Sequence, residues 1–383
     1  MGTILLDGNR TPFGKWKGGL ANYSATELGA SALHALIQKN TEAHHPDGVI
    51  LAQVIQAGAG QNSARQVAYQ AGIDISTPAI TLNNVCLGGL ASIADASRRI
   101  LLNEGDYYVV GGFDSMTNAP HTIPVRLGTG IGNTELTDSL LHDGLWCALS
   151  DQSMGVLTEK HNQIYQINRQ EQDEYAFLSQ QRAARAQTDK LFQAEIAPIE
   201  NVLAKDEGIR ENTSLEKLAS LSPAFTKNGT ITAGNASQMT DGASFGIITS
   251  EQKAKELGQQ PLAKVMDWTE IAGPDTSLQT KPAKAIEQLL QKNDLTIDDI
   301  DLFEINEAFA SVVIASCREL NIDYSKVNVN GGAIAIGHPL GGTGLRLVLT
   351  LAHELKRRGG GLGIASLCGG GGQGGAILIE VSN

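Results

Sequence analysis

The stretch Thr81-Leu82-Asn83-Asn84-Val85-Cys86-Leu87-Gly88-Gly89-Leu90 decides the fold. A short apolar run ends at one cysteine, and a helical period begins directly after it. Apolar residues recur at Leu90, Ile93, Ala94, Ile100 and Leu101, the i, i+3, i+4 spacing of a helix with one buried face. Asn103-Glu104-Gly105 stops that helix, and Tyr107-Tyr108-Val109-Val110 reads as the next strand. Cys86 therefore falls at or just before a helix N-terminus, where free backbone N–H groups and the dipole favour a thiolate. Taken alone, a single cysteine is more often a small buried hydrophobe.

The same corner occurs twice. Asn330-Gly331-Gly332-Ala333-Ile334-Ala335-Ile336-Gly337-His338-Pro339 leads into a helix from about Thr343 through Leu347, Leu351 and Leu355. It ends in Lys356-Arg357-Arg358 with Gly359 as cap. Gly105 follows Cys86 by 19 residues and Gly359 follows His338 by 21, so the chain reads as one unit used twice. About a pseudo-twofold axis, Cys86 and His338 converge at facing helix N-termini.

The first unit opens with a strand at Thr3–Leu6, the Arg10–Gly14 turn, and a helix capped by Ser24 with Glu27. Gly48–Ala52 and Val54-Ile55 are strand-like, and Gly58–Asn62 turns into another helix. The second unit repeats the rhythm with Ala263–Val265, a helix at Lys281-Pro282, Leu302–Ile305 and Leu362–Leu367. Such alternation predicts an α/β protein with a largely parallel sheet covered on both faces. Between the units the pattern is irregular, with one long helix capped by Asn168 and Glu171. The expected division is a first half over 1–118 (completed by 241–261), an inserted loop domain over 119–240 covering the active site, and a second half over 262–383.

Composition excludes several classes. The chain has 383 residues, and its 42% hydrophobic and 18% charged content is that of a globular protein. A net charge of −12 without a basic stripe argues against nucleic acid. No apolar run is long enough for a membrane and no leader pattern is present, so no membrane partner is expected. Val381-Ser382-Asn383 is not a peroxisomal address, and four cysteines make no disulfide framework, which together point to the cytoplasm. Lys205, Arg210, Lys217 and Lys227 form a thin cluster that suits a small anionic ligand or an ordinary solvated face. Gly369–Gly375 is no dinucleotide loop, because the strand Ala376–Ile379 follows it instead of a helix. Cys147 and Cys317 read as structural, and the histidines show no zinc spacing, so no metal is expected.

The remaining residues fit acyl transfer. A cysteine nucleophile needs a base within reach and donors for the oxyanion it creates. His338 suits the base, held by Pro339, and Cys368 supplies a second thiol as it enters Gly369–Gly372. Each has a plainer reading: His338 as a helix cap or core histidine, Cys368 as a buried strand residue.

Taken together, the motifs resemble those of the thiolases over essentially the whole chain, the acetyl-CoA C-acetyltransferase type most closely. The carrying residues are RTPFG at Arg10–Gly14, NNVCLGG around Cys86, QDEYAFLSQQRA at Gln172–Ala183 and TAGNAS at Thr232–Ser237. They continue with NEAFA at Asn306–Ala310, GGAIAIGHPLGGTG at Gly331–Gly344 and CGGGGQGG at Cys368–Gly375. The resemblance implies a duplicated five-layer α-β-α-β-α fold with an inserted loop domain, and a homodimer or homotetramer. It implies Cys86 as the acylated nucleophile, His338 as its activator and Cys368 as the acid/base for the α-proton. Asn306 would hold a water at the enolate, and the N–H groups of Cys86 and Gly370 would bind the thioester oxyanion. Ser237 would meet pantetheine, Arg210 the adenine end of CoA, and Leu145, Met154, Phe225 and Phe309 would line the channel. The implied reaction is condensation of two acetyl-CoA to acetoacetyl-CoA and CoA, reversibly, with coenzyme A as substrate and no other cofactor.

Two positions depart from the family pattern. Leu87-Gly88 stands where many members have Gly-Ser, which is expected to alter the acyl pocket or the packing of that helix. Ser153-Met154-Gly155 replaces the His-Met-Gly of the biosynthetic type, removing a hydrogen bond near the thioester. Alternatives are a degradative 3-ketoacyl-CoA thiolase of broader chain length, a ketoacyl synthase, which lacks a second cysteine in a glycine tetrad, and a non-catalytic CoA or lipid binder.

Overall fold

The computed structural model describes residues 2–382, so of the C-terminal trio Asn383 lies outside the described residues. Nine main strands and eight main helices carry the fold. The first unit contains β1 (Thr3–Arg10), α1 (Ala25–Lys39), β2 (Gly48–Ala52), α2 (Ser63–Ala71), β3 (Ala79–Leu82), α3 (Gly88–Leu101) and β4 (Tyr107–Ser115). A lobe with α4 (Met154–Ile164) and α5 (Arg169–Thr188) follows, and β5 (Thr240–Ser250) returns to the first unit. The second unit holds β6 (Ala263–Ala272), α6 (Lys281–Lys292), β7 (Leu302–Ile305), α7 (Ala310–Leu320), α8 (Leu340–Arg357), β8 (Gly361–Gly369) and β9 (Gln373–Val381).

The duplication shows in the strand order, short of one strand in the second unit. The first sheet runs β1-β5-β4-β2-β3 and the second β6-β9-β8-β7. In both, the first two pairings are antiparallel and the third parallel. A parallel bridge from Phe303 to Val327 stands in the second unit where β3 stands in the first. The two sheets join edge to edge through β1 and β6, with Thr3 opposite Val265 and Leu5 opposite Ala263.

Three hydrophobic cores separate five layers. One lies between α1, α2 and the first sheet, another between the second sheet and α6, α7. The central core is built by α3 and α8 with residues of both sheets. These two central helices meet backbone to backbone. A Cβ at Gly89 would lie 2.8 Å from the Leu345 nitrogen, and one at Gly344 would lie 2.5 Å from the Leu90 nitrogen. Glycine at both points lets the helix starts, and the residues just before them, come together.

Local capping follows the sequence. Ser24 and Glu27 form the capping box of α1, and Asn168 and Glu171 that of α5. Val54-Ile55 is a correction: it is not strand, because the Asp114 carboxylate takes both its N–H groups and holds it as a turn. The helix α8 starts at Leu340 instead of Thr343, since Pro339 sets its entry. The lobe holds a second helix, α4, capped by Ser153, which periodicity did not reveal because buried polar residues interrupt its apolar face.

RTPFG is an anchor. The fully buried Arg10 guanidinium makes two hydrogen bonds to Asp206, at 2.6 and 2.8 Å, and one to Glu195 at 2.8 Å. Phe13 N–H also donates to Asp206. This fastens the lobe to the end of β1.

Candidate active site

Cys86 and His338 each lie two residues before a central helix, so the backbone contact of α3 and α8 brings both to one place. They share a cavity of about 70 Å³ with Val85, Leu145, Met154, Leu278, Phe309, Cys368 and Gly370. Val85 holds φ 47°, a left-handed conformation uncommon for a β-branched residue, and its N–H donates to the Asn83 side chain at 3.0 Å. That turn aims the cysteine into the cavity.

The nearby backbone N–H groups of Gly370 and of Cys86 itself favour the Cys86 thiolate. Gly369 and Gly370 follow Cys368 at the end of β8, where the chain turns through Gly371 and Gly372 at φ 78° and 74° into β9. The turn thus sets the Gly370 N–H beside that of Cys86, near the sulfur. Burial, reinforced by the Asp114 charge, pushes the Cys86 thiol up to about 12 despite these donors. The expected helix-terminus thiolate is therefore corrected: desolvation outweighs the dipole, and the resting group is a thiol. Burial and the nearby Cys86 also raise the Cys368 thiol.

His338 is buried and held on three sides. Its N–H donates to Thr240 Oγ1 at 2.7 Å, its Nδ1 is 2.6 Å from Thr343 Oγ1, and its Nε2 is 3.4 Å from Asn306 Nδ2. The Thr343 hydroxyl also donates to Pro339 O at 3.2 Å. Both Thr343 contacts are satisfied together only if Nδ1 carries the hydrogen, which leaves the Nε2 lone pair facing the cavity. Burial, with a smaller contribution from the Arg346 charge, lowers His338 to about 3, so it is neutral at working pH.

The site opens into a cleft of about 550 Å³. Seven residues line both spaces, including Leu145, Met154, Ser237, Phe309 and His338. Arg210 and Phe225 also line the cleft, and Phe225 packs edge-on against Phe309 at 6.1 Å. Of the four basic residues noted in the sequence, only Arg210 lines it. All the site residues read from the sequence thus lie on these two connected spaces, except Asn306, which reaches the site through His338.

Leu87 acts through packing, the second of the two effects expected of it. It is buried under the glycine turn, where a Cβ on Gly369 would lie 2.8 Å from its Cγ, and it lines neither space. Its bulk fills the central core and leaves the acyl pocket untouched. Ser153 lines the cleft, but its hydroxyl is occupied as the cap of α4. Cys147 and Cys317 are buried and line neither space.

Sequence reading missed Asp114, Thr343 and Glu307. Asp114 caps the first turn of α8 at Gly341 N and the turn at Val54-Ile55, joining the two corners, and burial raises it to about 6. A charged residue ending an apolar strand was the available signal. Glu307 is buried and accepts from Tyr175, Ser179, Asn328 and the Ile334 N–H. Among the described residues no cluster of His, Cys, Asp and Glu has the arrangement of a metal site.

A thiol, an unprotonated imidazole, a second thiol and paired backbone donors meet where two copies of one α/β unit converge. That combination defines a cysteine-dependent acyltransferase. The chain belongs to the thiolase family: the family model for the thiolase N-terminal domain matches residues 3–252 and that for the C-terminal domain residues 259–381. It is 47% identical over 387 residues to a probable acetyl-CoA acetyltransferase of Mycolicibacterium smegmatis, covering 98% of this chain and all of that one. It is 42% identical over 388 residues to a probable acetyl-CoA acyltransferase of Staphylococcus epidermidis, covering 98% of each. The structure superposes on the Bacillus anthracis acetyl-CoA acetyltransferase with TM-score 0.96 at 38% identity, covering 99% of this chain and 98% of that one. Human mitochondrial 3-ketoacyl-CoA thiolase gives 0.95 at 38% identity, covering 100% and 99%.

Proposed function

We propose that the protein interconverts two acetyl-CoA with acetoacetyl-CoA and CoA through an acyl group on Cys86. The carrying observation is that Cys86, Cys368, His338 and Gly370 line one cavity of about 70 Å³. In the condensation direction His338 Nε2 takes the Cys86 proton as the sulfur attacks the first thioester. The oxyanion accepts the N–H groups of Cys86 and Gly370. The departing CoA thiolate takes the proton of Cys368, which leaves Cys368 as the base. That thiolate removes an α-proton from the second acetyl-CoA, with imidazolium and a water held by Asn306 facing the enolate oxygen. The carbanion attacks the acyl group, and Cys86 leaves and recovers its proton from His338. The enzyme ends as it began: Cys86 regains its proton from His338, Cys368 keeps the α-proton, and the proton Cys368 gave up leaves on the released CoA. The thioester itself acidifies the α-carbon, so this reading needs no metal and no cofactor beyond coenzyme A.

The small inner cavity favours a short acyl group over the long chains of a degradative enzyme. Ser237, Arg210, Leu145, Met154, Phe225 and Phe309 serve as the CoA channel in this reading. The lobe also carries Leu127 and Ile131 fully exposed, with Val125 and Leu136 more than half exposed. Apolar exposure of that kind supports a homotetramer built by covering the loop with another copy. No helix among the described residues is long and apolar enough to cross a membrane, and the reading places the enzyme in the cytoplasm.

Thiolysis of acetoacetyl-CoA by CoA, followed by absorbance on the natural chain and Cys86→Ala, tests the assignment. Turnover lost in the variant supports it; turnover retained overturns it. A 3-ketoacyl-CoA of eight or more carbons used better than acetoacetyl-CoA would favour the degradative alternative.

A further inference from the structure

The RTPFG turn is followed by Lys15-Trp16-Lys17, which the chemistry above does not use. Gly14-Lys15 adds a two-residue strand to β5, opposite Thr240 and Asp241. The Trp16 N–H donates to Met239 O at 3.0 Å, and the Lys17 N–H to Thr117 Oγ1 at 2.8 Å. Glu207 accepts the backbone N–H groups of Lys15 and Gly19. With Arg10 locked to Asp206 and Glu195, this tip is a rigid bracket on the cleft.

Lys15 and Trp16 both line the 550 Å³ cleft, as do Arg210 and Met239. The cleft floor is His338, Leu340 and Phe309, all buried, whereas Trp16, Phe225 and Met239 are each about 40% exposed and mark its mouth. None of the described residues lining the cleft is acidic, although the chain carries a net charge of −12. Neither Lys15 nor Arg210 is in an ion pair among the described residues, so both charges are free for a ligand. Lys17 Nζ sits 4.1 Å above the Trp16 ring and steadies it. A thioester held at Cys86 by a slender arm must place its other end at this mouth.

We propose that Lys15 and Trp16 form the clamp for the nucleotide end of the acyl carrier, the indole stacking on the base and Lys15, opposite Arg210, facing the phosphates. This rests on the acyl-CoA reading above. An indole offers a face to any base, and a free ammonium on a cleft with no acidic residue in its lining selects for a multiply charged tail.

The test compares acetoacetyl-CoA with acetoacetyl-pantetheine, which lacks the nucleotide, on the natural chain, Trp16→Ala and Lys15→Ala. Both positions are solvent-facing, and equal turnover of the pantetheine substrate by all three shows that the catalytic centre is intact. The expected result is a KM for acetoacetyl-CoA raised about tenfold in Trp16→Ala with kcat little changed. In Lys15→Ala, KM rises severalfold and depends less on salt. Unchanged KM for acetoacetyl-CoA in both variants overturns the clamp. Failure of the natural chain to turn over either substrate overturns the acyl-CoA reading itself. Dephospho-CoA thioesters used equally by the natural chain and Lys15→Ala would place Lys15 at the 3′-phosphate.

Discussion

Asn306 Nδ2 stands 3.4 Å from His338 Nε2, across the join between the end of β7 and the corner before α8. The oxygen of this amide, Asn306 Oδ1, is buried without a protein partner. One amide thus faces the lone pair of the base while keeping an acceptor unused, which is the arrangement needed to hold a polar group beside the imidazole.

Replacing Asn306 by Ala should therefore strike the carbanion step more than acylation. We expect kcat for acetoacetyl-CoA formation to fall about 10²- to 10³-fold, the usual cost of losing one preorganised donor to a developing oxyanion. Acylation of Cys86 by acetyl-CoA, read as a burst of free CoA, should persist. A burst lost in parallel with turnover would place Asn306 in the first half-reaction instead.

The titration of the dyad gives a second prediction. Burial holds the Cys86 thiol at about 12 and His338 at about 3, so between these values the resting pair is neutral. Since the thiol is raised, its thiolate fraction grows about tenfold per pH unit up to that point. Alkylation of Cys86 by iodoacetamide, mapped by mass spectrometry, should rise steadily from pH 6 to pH 10. A rate flat across that range would show a preformed thiolate–imidazolium pair.

Much of this site was legible because its chemistry is punctuated by glycine. The corners at Cys86 and His338 are marked by Gly88-Gly89 and Gly341-Gly342, and the structure shows why: the two central helices touch through backbone at Gly89 and Gly344. Cys368 was legible from its place before the glycine turn. The direction of the Leu87 side chain was not, because a residue at a helix start faces core or cavity according to tertiary packing. Asp114 and Glu307 escaped for a related reason. Their partners are backbone groups, hydroxyls and one amide from 21 to 227 residues away, and no local period records such bonds.

Leu87 supplies a third prediction. It packs beneath Gly369 and Gly375 in the central core and lines neither cavity. Leu87→Ala should cost about 2–5 kcal/mol of stability, the range for truncating a buried leucine. The ratio of turnover for four-carbon and longer ketoacyl-CoA should stay as it was. A changed ratio in folded protein would return Leu87 to the acyl pocket.

Glu307 carries the last prediction. Its carboxylate accepts Tyr175 Oη at 2.9 Å and Ser179 Oγ at 2.7 Å from α5 of the lobe. It also accepts Asn328 Nδ2 at 3.1 Å and the Ile334 N–H at 3.0 Å, on the segment that runs to His338. One buried group therefore ties the lobe to the chain that sets the imidazole, and it directly follows Asn306. Glu307→Ala leaves the Tyr175 and Ser179 hydroxyls and the Ile334 N–H without their acceptor, while Asn328 Nδ2 keeps Ile305 O. At about 1–3 kcal/mol for each donor that finds no water, a loss of roughly 3 kcal/mol or more is expected. Glu307→Gln keeps an acceptor and the volume, so it should fold, with a smaller loss of melting temperature. Because the same bonds hold Ile334 four residues before His338, kcat in Glu307→Gln should drop while KM changes little. A variant that melts early yet keeps its full kcat at low temperature would limit Glu307 to stability and leave His338 positioned by Thr240, Thr343 and Asn306.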